Sequence, residues 1–240
     1  MIQVYEQLKT SQGNVTIKFS TPFTNKPTII VSPYFKDSQS QVGSIPTVTA
    51  VSKTECVITS ANAASNYYVS VLAIDQESAV RAGSINKTAS GELQIGLSPA
   101  LSSSDPMILV TSFWNGATGG VGSIDTVDDA VASEFSVVSA NAASNYFTNY
   151  IASDLGMKTI GVNNCQNGIV NKIGQGKMRV YFNLPFSAVP KVFVSPWYND
   201  QNSGVANIET VTKITRDYFE FTSSNAGLHY FVNWLAVEEA

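Results

Sequence analysis

The sequence has few charged residues and no long apolar run. Of its 240 residues only 13% are charged, and the formal net charge is −4. No cluster of Lys or Arg occurs, so nucleic acid and anionic membrane surfaces are not expected as partners. No stretch approaches the roughly 20 apolar residues of a membrane-spanning helix. Because 44% of the residues are hydrophobic, we expect a folded chain with a sizeable core.

Histidine and cysteine are also scarce. His229 is the single histidine, which excludes a His-based zinc cluster and leaves a Ser-His-Asp triad dependent on one residue. Cys56 lies in a strand pattern and is expected to be a core thiol, and two distant cysteines do not support a disulfide framework. No glycine-rich phosphate loop with its lysine is present. The sequence therefore predicts a protein that is not an enzyme and holds no cofactor or metal.

The N-terminal stretch MIQVYEQLKT lacks the basic head and apolar middle of a signal peptide. We accordingly expect a soluble chain without membrane insertion, either cytosolic or extracellular.

Three related segments make up the sequence. The stretch SANAASNYY at 60–68 returns as SANAASNYF at 139–147 and, altered, as SSNAGLHYF at 223–231. Pro27, Pro106 and Pro190 recur with the same spacing, as do the surrounding apolar runs KPTIIVSPYF, DPMILVTSFW and VPKVFVSPWY. Self-similarity at a fixed period indicates repeated structural units. We predict three units, with the bounds 1–75, 76–154 and 155–240.

Each unit has the pattern of β-structure. Alternating apolar residues, such as Val15, Ile17 and Phe19, predict a half-buried strand. A mostly apolar strand, a strand at VGSI (residues 42–45), a fourth strand and a closing aromatic strand follow, and the connections before units two and three are expected to contain one more strand each. The predicted fold is all-β, with three tandem six-stranded antiparallel sandwich units packed as a single-chain pseudo-trimer. An open string of three independent units is the alternative, although its sheet edges would then need other protection.

The unit pattern resembles the H-type lectin domain. The residues that carry the resemblance best are Phe182-Asn183-Leu184-Pro185-Phe186 with Pro190, Trp234-Leu235-Ala236, and in the first unit Phe19, Pro22, Phe23 and Pro27. The resemblance implies a sandwich that associates as a trimer and binds galactose-type sugars, notably N-acetylgalactosamine, between neighbouring units. The chain departs from that family where the family has an Arg on a middle strand and an aromatic-His pair in the loop before the last strand. Gly43, Gly122 and Ala206 stand on the expected middle strand.

The repeated polar loop is the predicted ligand site. Asn offers a donor and an acceptor, Ser a hydroxyl and Tyr an apolar face, a combination that matches the hydroxyls and C–H patch of a sugar. A structural role, in which Asn supports a tight turn, is the alternative, and both roles can hold together. The predicted ligand-binding residues are Asn62, Ser65, Asn66, Tyr67, Asn141, Ser144, Asn145, Tyr146, Asn225, His229 and Tyr230.

One acidic group interrupts the neutral pattern. Asp125, Asp128 and Asp129 lie together in the second unit. Calcium requires six to eight oxygen ligands, which three acids only begin to supply. We therefore expect a solvated acidic turn at this place.

These observations favour a multivalent carbohydrate-binding protein whose sites lie in loops between units. Its partners would be glycans or glycoconjugates, bound weakly at each site and more strongly by several sites together. A self-contained pseudo-trimer is expected, and further oligomerisation is compatible with the sequence. The alternatives are a structural or adhesion module of an appendage or spike, and a membrane-active toxin built on a lectin fold, against which the lack of a long amphipathic stretch argues.

Overall fold

A computed structural model describes residues 1–75 and 77–239. These residues form 19 β-strands and no helix, which confirms the all-β class. Accordingly, no helix that could span a membrane occurs in the described ranges. Residue 76, where the second unit is predicted to begin, and residue 240, where the third is predicted to end, lie outside the described residues.

The strands follow the repeat in the sequence. The first segment contains β1 (Ile2–Leu8), β2 (Gly13–Lys18), β3 (Thr28–Phe35), β4 (Thr47–Val51), β5 (Glu55–Ser60) and β6 (Tyr67–Ile74). The second contains β7 (Arg81–Asn86), β8 (Gly91–Gly96), β9 (Met107–Trp114), β10 (Thr126–Val131), β11 (Glu134–Ser139) and β12 (Tyr146–Ser153). The third contains β13 (Thr159–Ile160), β14 (Asn163–Asn171), β15 (Gly176–Tyr181), β16 (Lys191–Tyr198), β17 (Thr210–Ile214), β18 (Tyr218–Ser223) and β19 (Tyr230–Val237).

Three mixed sheets combine strands from different segments. Their strand orders are β1-β6-β3-β17-β18-β15, β13-β14-β19-β16-β10-β11-β8 and β2-β5-β4-β9-β12-β7. Neighbours within a segment are antiparallel, whereas β3 with β17, β4 with β9 and β10 with β16 are parallel pairs. Each segment therefore places three strands in one sheet and three in another, apart from the short β13, and each sheet joins two segments.

The parallel pairs insert an aromatic side chain into the core of another segment. Tyr34 of β3 packs in the core of the third segment, Phe113 of β9 in that of the first, and Trp197 of β16 in that of the second. All three are buried. Burying a large aromatic side chain stabilises the contact by about 1.5 to 3 kcal/mol. These contacts link the segments in a cycle.

A fourth apolar cluster draws on all three segments. It includes Ile30 and Leu72 from the first, Leu109 and Ile151 from the second, and Phe193 and Leu235 from the third, all with no exposed surface. Cys165 of β14 belongs to this cluster, and Cys56 lies in the core of the first segment. Both thiols are free, and burial raises the pKa of each to about 12. The prediction of Cys56 as a core thiol is confirmed.

The predicted strand at VGSI is wrong. Val42 to Ile45 form a loop, and β4 begins after Pro46, at Thr47. Proline has no N–H for a sheet ladder, and the backbone N–H and C=O of Ser44 bond instead to the side-chain amide of Asn62. The corresponding strands β10 and β17 likewise begin only at Thr126 and Thr210. Gly43, Gly122 and Ala206 consequently lie in loops and not on a middle strand.

Candidate functional site

The asparagine of the repeated loop bonds to the chain's own backbone. Asn62 Oδ1 accepts from Ser44 N at 3.0 Å and its Nδ2 donates to Ser44 O at 2.6 Å. Asn141 makes the same pair of bonds with Ser123, and Asn225 with Asn207. A side-chain amide can replace a backbone partner because it offers one acceptor and two donors. This geometry explains the asparagine in all three copies without a ligand.

A buried lysine holds the same loop from the other side. Lys9 is 2% exposed, and its Nζ donates to Ser11 O, Ser60 O and Asn62 O at 2.7 to 2.9 Å. Lys87 and Lys172 make the equivalent three bonds in the other segments. Burial lowers the pKa of all three lysines. Each loop is thus fixed by an ammonium group surrounded by three carbonyl oxygens.

The sequence reasoning missed these lysines, although a signal was present. Each stands four residues before a glycine, namely Gly13, Gly91 and Gly176. The three glycines have φ values between +87° and +94°, which residues with a Cβ atom rarely adopt. A lysine at a fixed distance from such a glycine recurs in every segment and could have been read as part of the loop.

The tyrosines of the predicted site are core residues. Tyr67, Tyr146 and Tyr230 are each 1% exposed, so their rings offer no face to a ligand at the surface. Each hydroxyl oxygen accepts a hydrogen bond from Nδ2 of the asparagine in the same loop, at 3.0 to 3.3 Å. Burial raises the pKa of Tyr67 to about 12, against hydrogen bonds that lower it.

The remaining predicted residues lie nearer the surface. Ser65, Ser144, Asn145 and His229 are exposed, and Asn66 is half-buried. Asn66 and Asn145 each donate to a carbonyl of the loop that follows β3 or β9, and the half-buried Trp114 donates from Nε1 to Asn145 Oδ1 at 3.1 Å. The loop therefore brings these residues together in each segment, and sugar contact at them stays a prediction.

The acidic group is not a solvated turn. Asp125 and Asp128 are 4% and 1% exposed, and they bind different partners. Asp125 accepts from Tyr146 and Thr148, whereas Asp128 accepts from the backbone N–H groups of Gln201 and Asn202 in the third segment. Asp129 is exposed, and the neighbouring Asp200 carboxyl raises its pKa to about 6, with burial and nearby acids adding to the shift. Within 1–75 and 77–239, no three His, Cys, Asp or Glu side chains are grouped to hold a metal.

A small cavity of about 60 Å³ lies where the three segments meet. Its lining repeats by segment, with Pro46, Asp125 and Glu209 at corresponding positions. Glu209 is 3% exposed; Oε1 accepts from Ser223, Tyr230 and Asn225, while Oε2 has no partner among the described residues. Burial raises the pKa of Glu209, although those three bonds and the charge of Lys172 oppose the shift.

This carboxyl makes stability depend on pH. The folded-state pKa of Glu209 exceeds its ordinary value of 4.5, so the folded protein holds this proton more tightly than the unfolded chain does. The resulting stabilisation of the fold is complete below pH 4.5 and is lost as the pH rises through the folded-state pKa. Each pKa unit of difference corresponds to about 1.4 kcal/mol. We expect Glu209→Gln to remove this decline, measured as the free energy of unfolding between pH 4 and 8. Glu92→Gln, on the exposed face of β8, is the control and should keep the decline. If the free energy of unfolding of Glu209→Gln falls with pH as steeply as that of the wild type, the prediction is wrong.

A cleft of about 430 Å³ lies on the face of β8 and β11 and is lined by Glu92, Asp129 and Asp200. Three further clefts of ligand size lie at corresponding places, at the end of the strands away from the repeated loop. Their volumes are about 620, 410 and 400 Å³. Each lies against the first long strand of a segment (β7, β14 or β1) and the turn after the next strand. The polar groups include Asn25, Arg81, Ser98 and Tyr150 in the first cleft; Asn164, Gln166, Asn183 and Ser187 in the second; and Gln3, Tyr5, Ser20 and Thr21 in the third.

The two candidate regions are well separated. Strand β6 runs from Tyr67, beside the repeated loop, to Ile74, which lines the first cleft. Seven steps along a strand span about 23 Å. The repeated loop and the cleft therefore do not form one site.

Fold and sites together define an all-β chain of three related segments, with a fixed polar loop at one end of each segment and a cleft at the other. Comparison of the chain with protein-family models, with curated proteins and with solved structures finds no match.

Proposed function

We propose that this protein is a multivalent carbohydrate-binding protein whose three clefts are the sugar sites. The observation that carries the proposal is the recurrence of a cleft of about 400 to 620 Å³ beside corresponding strands of the three segments. Ligand sites are typically concave and of this volume. Each lining has amide and hydroxyl groups with an aromatic side chain, which is Tyr150 in the first cleft, Phe186 in the second and Tyr5 in the third. This combination suits the hydroxyls and the C–H face of a sugar.

We further propose that the segments are sandwich units arranged around a pseudo-threefold axis, as the resemblance to H-type lectins implies. Hydrogen bonds that pass from segment to segment in a cycle support this arrangement. Val31 N donates to Thr111 Oγ1, Val110 N to Ser195 Oγ, and Val194 N to Ser32 Oγ, each at 2.9 Å. Three sites on one rigid body gain avidity even when each is weak.

The repeated loop is proposed to act mainly as a structural element. The hydrogen bonds of its asparagine amide and of the buried lysine all go to other groups of the same chain. This favours the alternative in which the asparagine supports the turn and does not contact a ligand. A rigid loop nevertheless loses little conformational entropy on binding, so Ser65, Ser144 and their neighbours remain available as secondary contacts.

Filling one cleft is expected to remove one sugar site. Ala82 on β7 is exposed and lines the first cleft, so Ala82→Trp should occupy its space. Titration with galactose and N-acetylgalactosamine, followed by NMR, should show three sites in the wild type and two in the variant. Multivalent binding to an immobilised glycan should weaken about tenfold, within the range of avidity effects.

The matched control is Ser84→Trp, two residues along the same strand and therefore on the same face, but outside the cleft lining. Equal sugar binding by Ala82→Trp and the wild type would show that the clefts are not the sites. If no member of a neutral sugar panel binds the wild type, the carbohydrate proposal fails and the structural or adhesion module takes its place.

A further inference from the structure

The third segment carries an exposed aromatic and cationic surface that the other two lack. Met178 and Val180 of β15 are half-buried and pack against the core of the third segment, so the alternate residues Lys177, Arg179 and Tyr181 face outward. The side chain of Tyr181 is 64% exposed. A single exposed aromatic ring is ordinary on a protein surface, and it is the cations beside Tyr181 that distinguish this strand. We call these three residues, with Tyr218 and Glu220 of the neighbouring β18, the β15–β18 surface.

A carboxylate holds the cationic groups of this surface in place. Arg179 donates from Nε and Nη2 to Glu220 Oε1 at 2.9 and 2.6 Å, and Lys177 Nζ lies 3.3 Å from Glu220 Oε2. Burial would raise the pKa of Glu220, but the hydrogen bonds and charges of Arg179 and Lys177 lower it overall. Glu220 is therefore ionised at neutral pH and orients both cations.

The aromatic rings are fixed by the same arginine. The guanidinium carbon of Arg179 lies 4.2 Å from the ring centre of Tyr218, and the rings of Tyr181 and Tyr218 have their centres 5.7 Å apart. Lys213 Nζ lies 5.8 Å from the ring centre of Tyr218. Arginine stacked on an aromatic face is pre-organised and keeps its charge. Lys177 and Arg179 outnumber the single carboxylate of Glu220, which leaves positive charge in excess on this surface, and Lys213 of the neighbouring β17 adds to that excess.

Corresponding strands of the other segments have a different chemistry. The outward residues are Asn14, Thr16 and Lys18 on β2, and Glu92, Gln94 and Gly96 on β8. The first set holds one positive charge and no aromatic ring, and the second holds a negative charge. The exposed tyrosine and the paired cations are therefore a property of the third segment and not of the shared fold.

We propose that the β15–β18 surface binds an acidic sugar residue, one that carries a carboxylate or a sulfate. The exposed face of Tyr181 stacks on the sugar ring, and the donors of Lys177 that Glu220 leaves free bind the anionic group. This site adds an acidic ligand to the neutral sugars of the clefts. That the ligand is a sugar rests on the proposed carbohydrate function. That the sugar is acidic rests on the excess positive charge of this surface.

Three ligands with one neutral core test the proposal. Lactose, 3′-sialyllactose and 3′-sulfolactose are titrated into the whole protein in low salt, with binding followed by NMR shifts. At least one acidic ligand should bind about tenfold more tightly than lactose, and the preference should fall as salt is added, because exposed charges are screened. The carboxylate and sulfate arms show which acid is preferred.

Two variants locate the site. Tyr181→Ala and Lys177→Gln should each weaken the acidic ligand about tenfold while lactose binding stays unchanged. The matched control is Lys18→Gln, which removes an exposed positive charge from the equivalent strand of the first segment. Thermal unfolding of each variant confirms that it remains folded, and both target residues are exposed.

Several results would overturn the proposal. Equal affinity for lactose and both acidic ligands would remove the acidic site but leave the cleft sites standing. An equal effect of Lys18→Gln and Lys177→Gln would show general charge attraction only. Binding of a short DNA duplex as tightly as the acidic sugars, insensitive to Tyr181→Ala, would identify a polyanion surface instead. By contrast, a wild-type protein that binds an acidic ligand through Tyr181 and Lys177 but binds no neutral sugar at the clefts would contradict the proposed cleft sites and leave this surface standing.

Discussion

Replacing Lys87 by methionine is expected to lower the free energy of unfolding by about 3 kcal/mol, because the variant leaves buried carbonyl groups without a donor. Lys87 is 1% exposed, and its ammonium group bonds to Ala89 O, Ser139 O and Asn141 O at 2.7 to 3.1 Å. Methionine fills a similar volume but donates no hydrogen bond. Chemical denaturation of wild type and variant measures the difference.

The positive charge adds to this effect. Burial lowers the pKa of Lys87, and the charge of Asp125 opposes this shift. The variant therefore also removes a favourable charge interaction with the Asp125 carboxylate. Lys53→Met, at an exposed lysine of the first segment, is the control and should change stability by less than about 0.5 kcal/mol. If both variants unfold at the same denaturant concentration, the lysine does not hold the loop.

Replacing Gly168 by tyrosine is expected to destabilise the protein by about 3 kcal/mol, and a second substitution, Trp234→Val, is expected to restore part of the loss. Gly168 lies opposite Trp234 across β14 and β19, and a Cβ at this position would come within 2.9 Å of the indole. The tyrosine side chain cannot fit beside that ring. Removing the indole makes the space that the new ring needs.

The first segment shows that the exchanged pair fits the fold. There Tyr5 lies opposite Val71, while in the second segment Gly83 lies opposite Tyr150. Each pair combines a large and a small residue. In the first segment the large residue lies on the first strand of the pair, β1, whereas in the other two segments it lies on the last strand, β12 or β19. A double-mutant cycle should give a coupling energy of about 1.5 kcal/mol or more.

The control cycle combines Gly168→Tyr with Tyr150→Val in the second segment. These positions belong to different pairs, so their effects should add within about 0.5 kcal/mol. Additivity in the Gly168–Trp234 cycle as well would show that the two side chains do not share one space.

Much of the fold could be predicted from local pattern. Alternation at Val15 and Ile17 placed β2 correctly, and the apolar residues Val80 and Ile85 marked the connection in which β7 (Arg81–Asn86) lies. The strand predicted at VGSI is a loop. The backbone of Ser44 instead bonds to Asn62, eighteen positions away, and a local pattern does not report such a partner.

The sites were harder to predict than the strands. The repeated loop was found because its sequence recurs. The structure explains the recurrence by hydrogen bonds within the chain, which the loop makes through its asparagine amides and through the buried Lys9, Lys87 and Lys172. The clefts share little sequence beyond Gln3 and Gln166 at equivalent positions, and strands and turns distant in sequence form each of them. Charge on Asp125 and Asp128 suggested exposure, whereas hydroxyl, amide and backbone N–H donors from elsewhere allow both to be buried.

The sequence by itself determined the all-β class, the threefold repeat and the recurring loop, because strand periodicity and self-similarity are local properties that each segment carries in full. Only the tertiary structure decided which segment pairs with which, where Tyr34, Phe113 and Trp197 are buried, and that three corresponding clefts lie at the strand ends away from the loop. Parallel pairing between segments brings together residues far apart in the chain, and their contacts depend on how the sheets close and not on any one stretch of sequence.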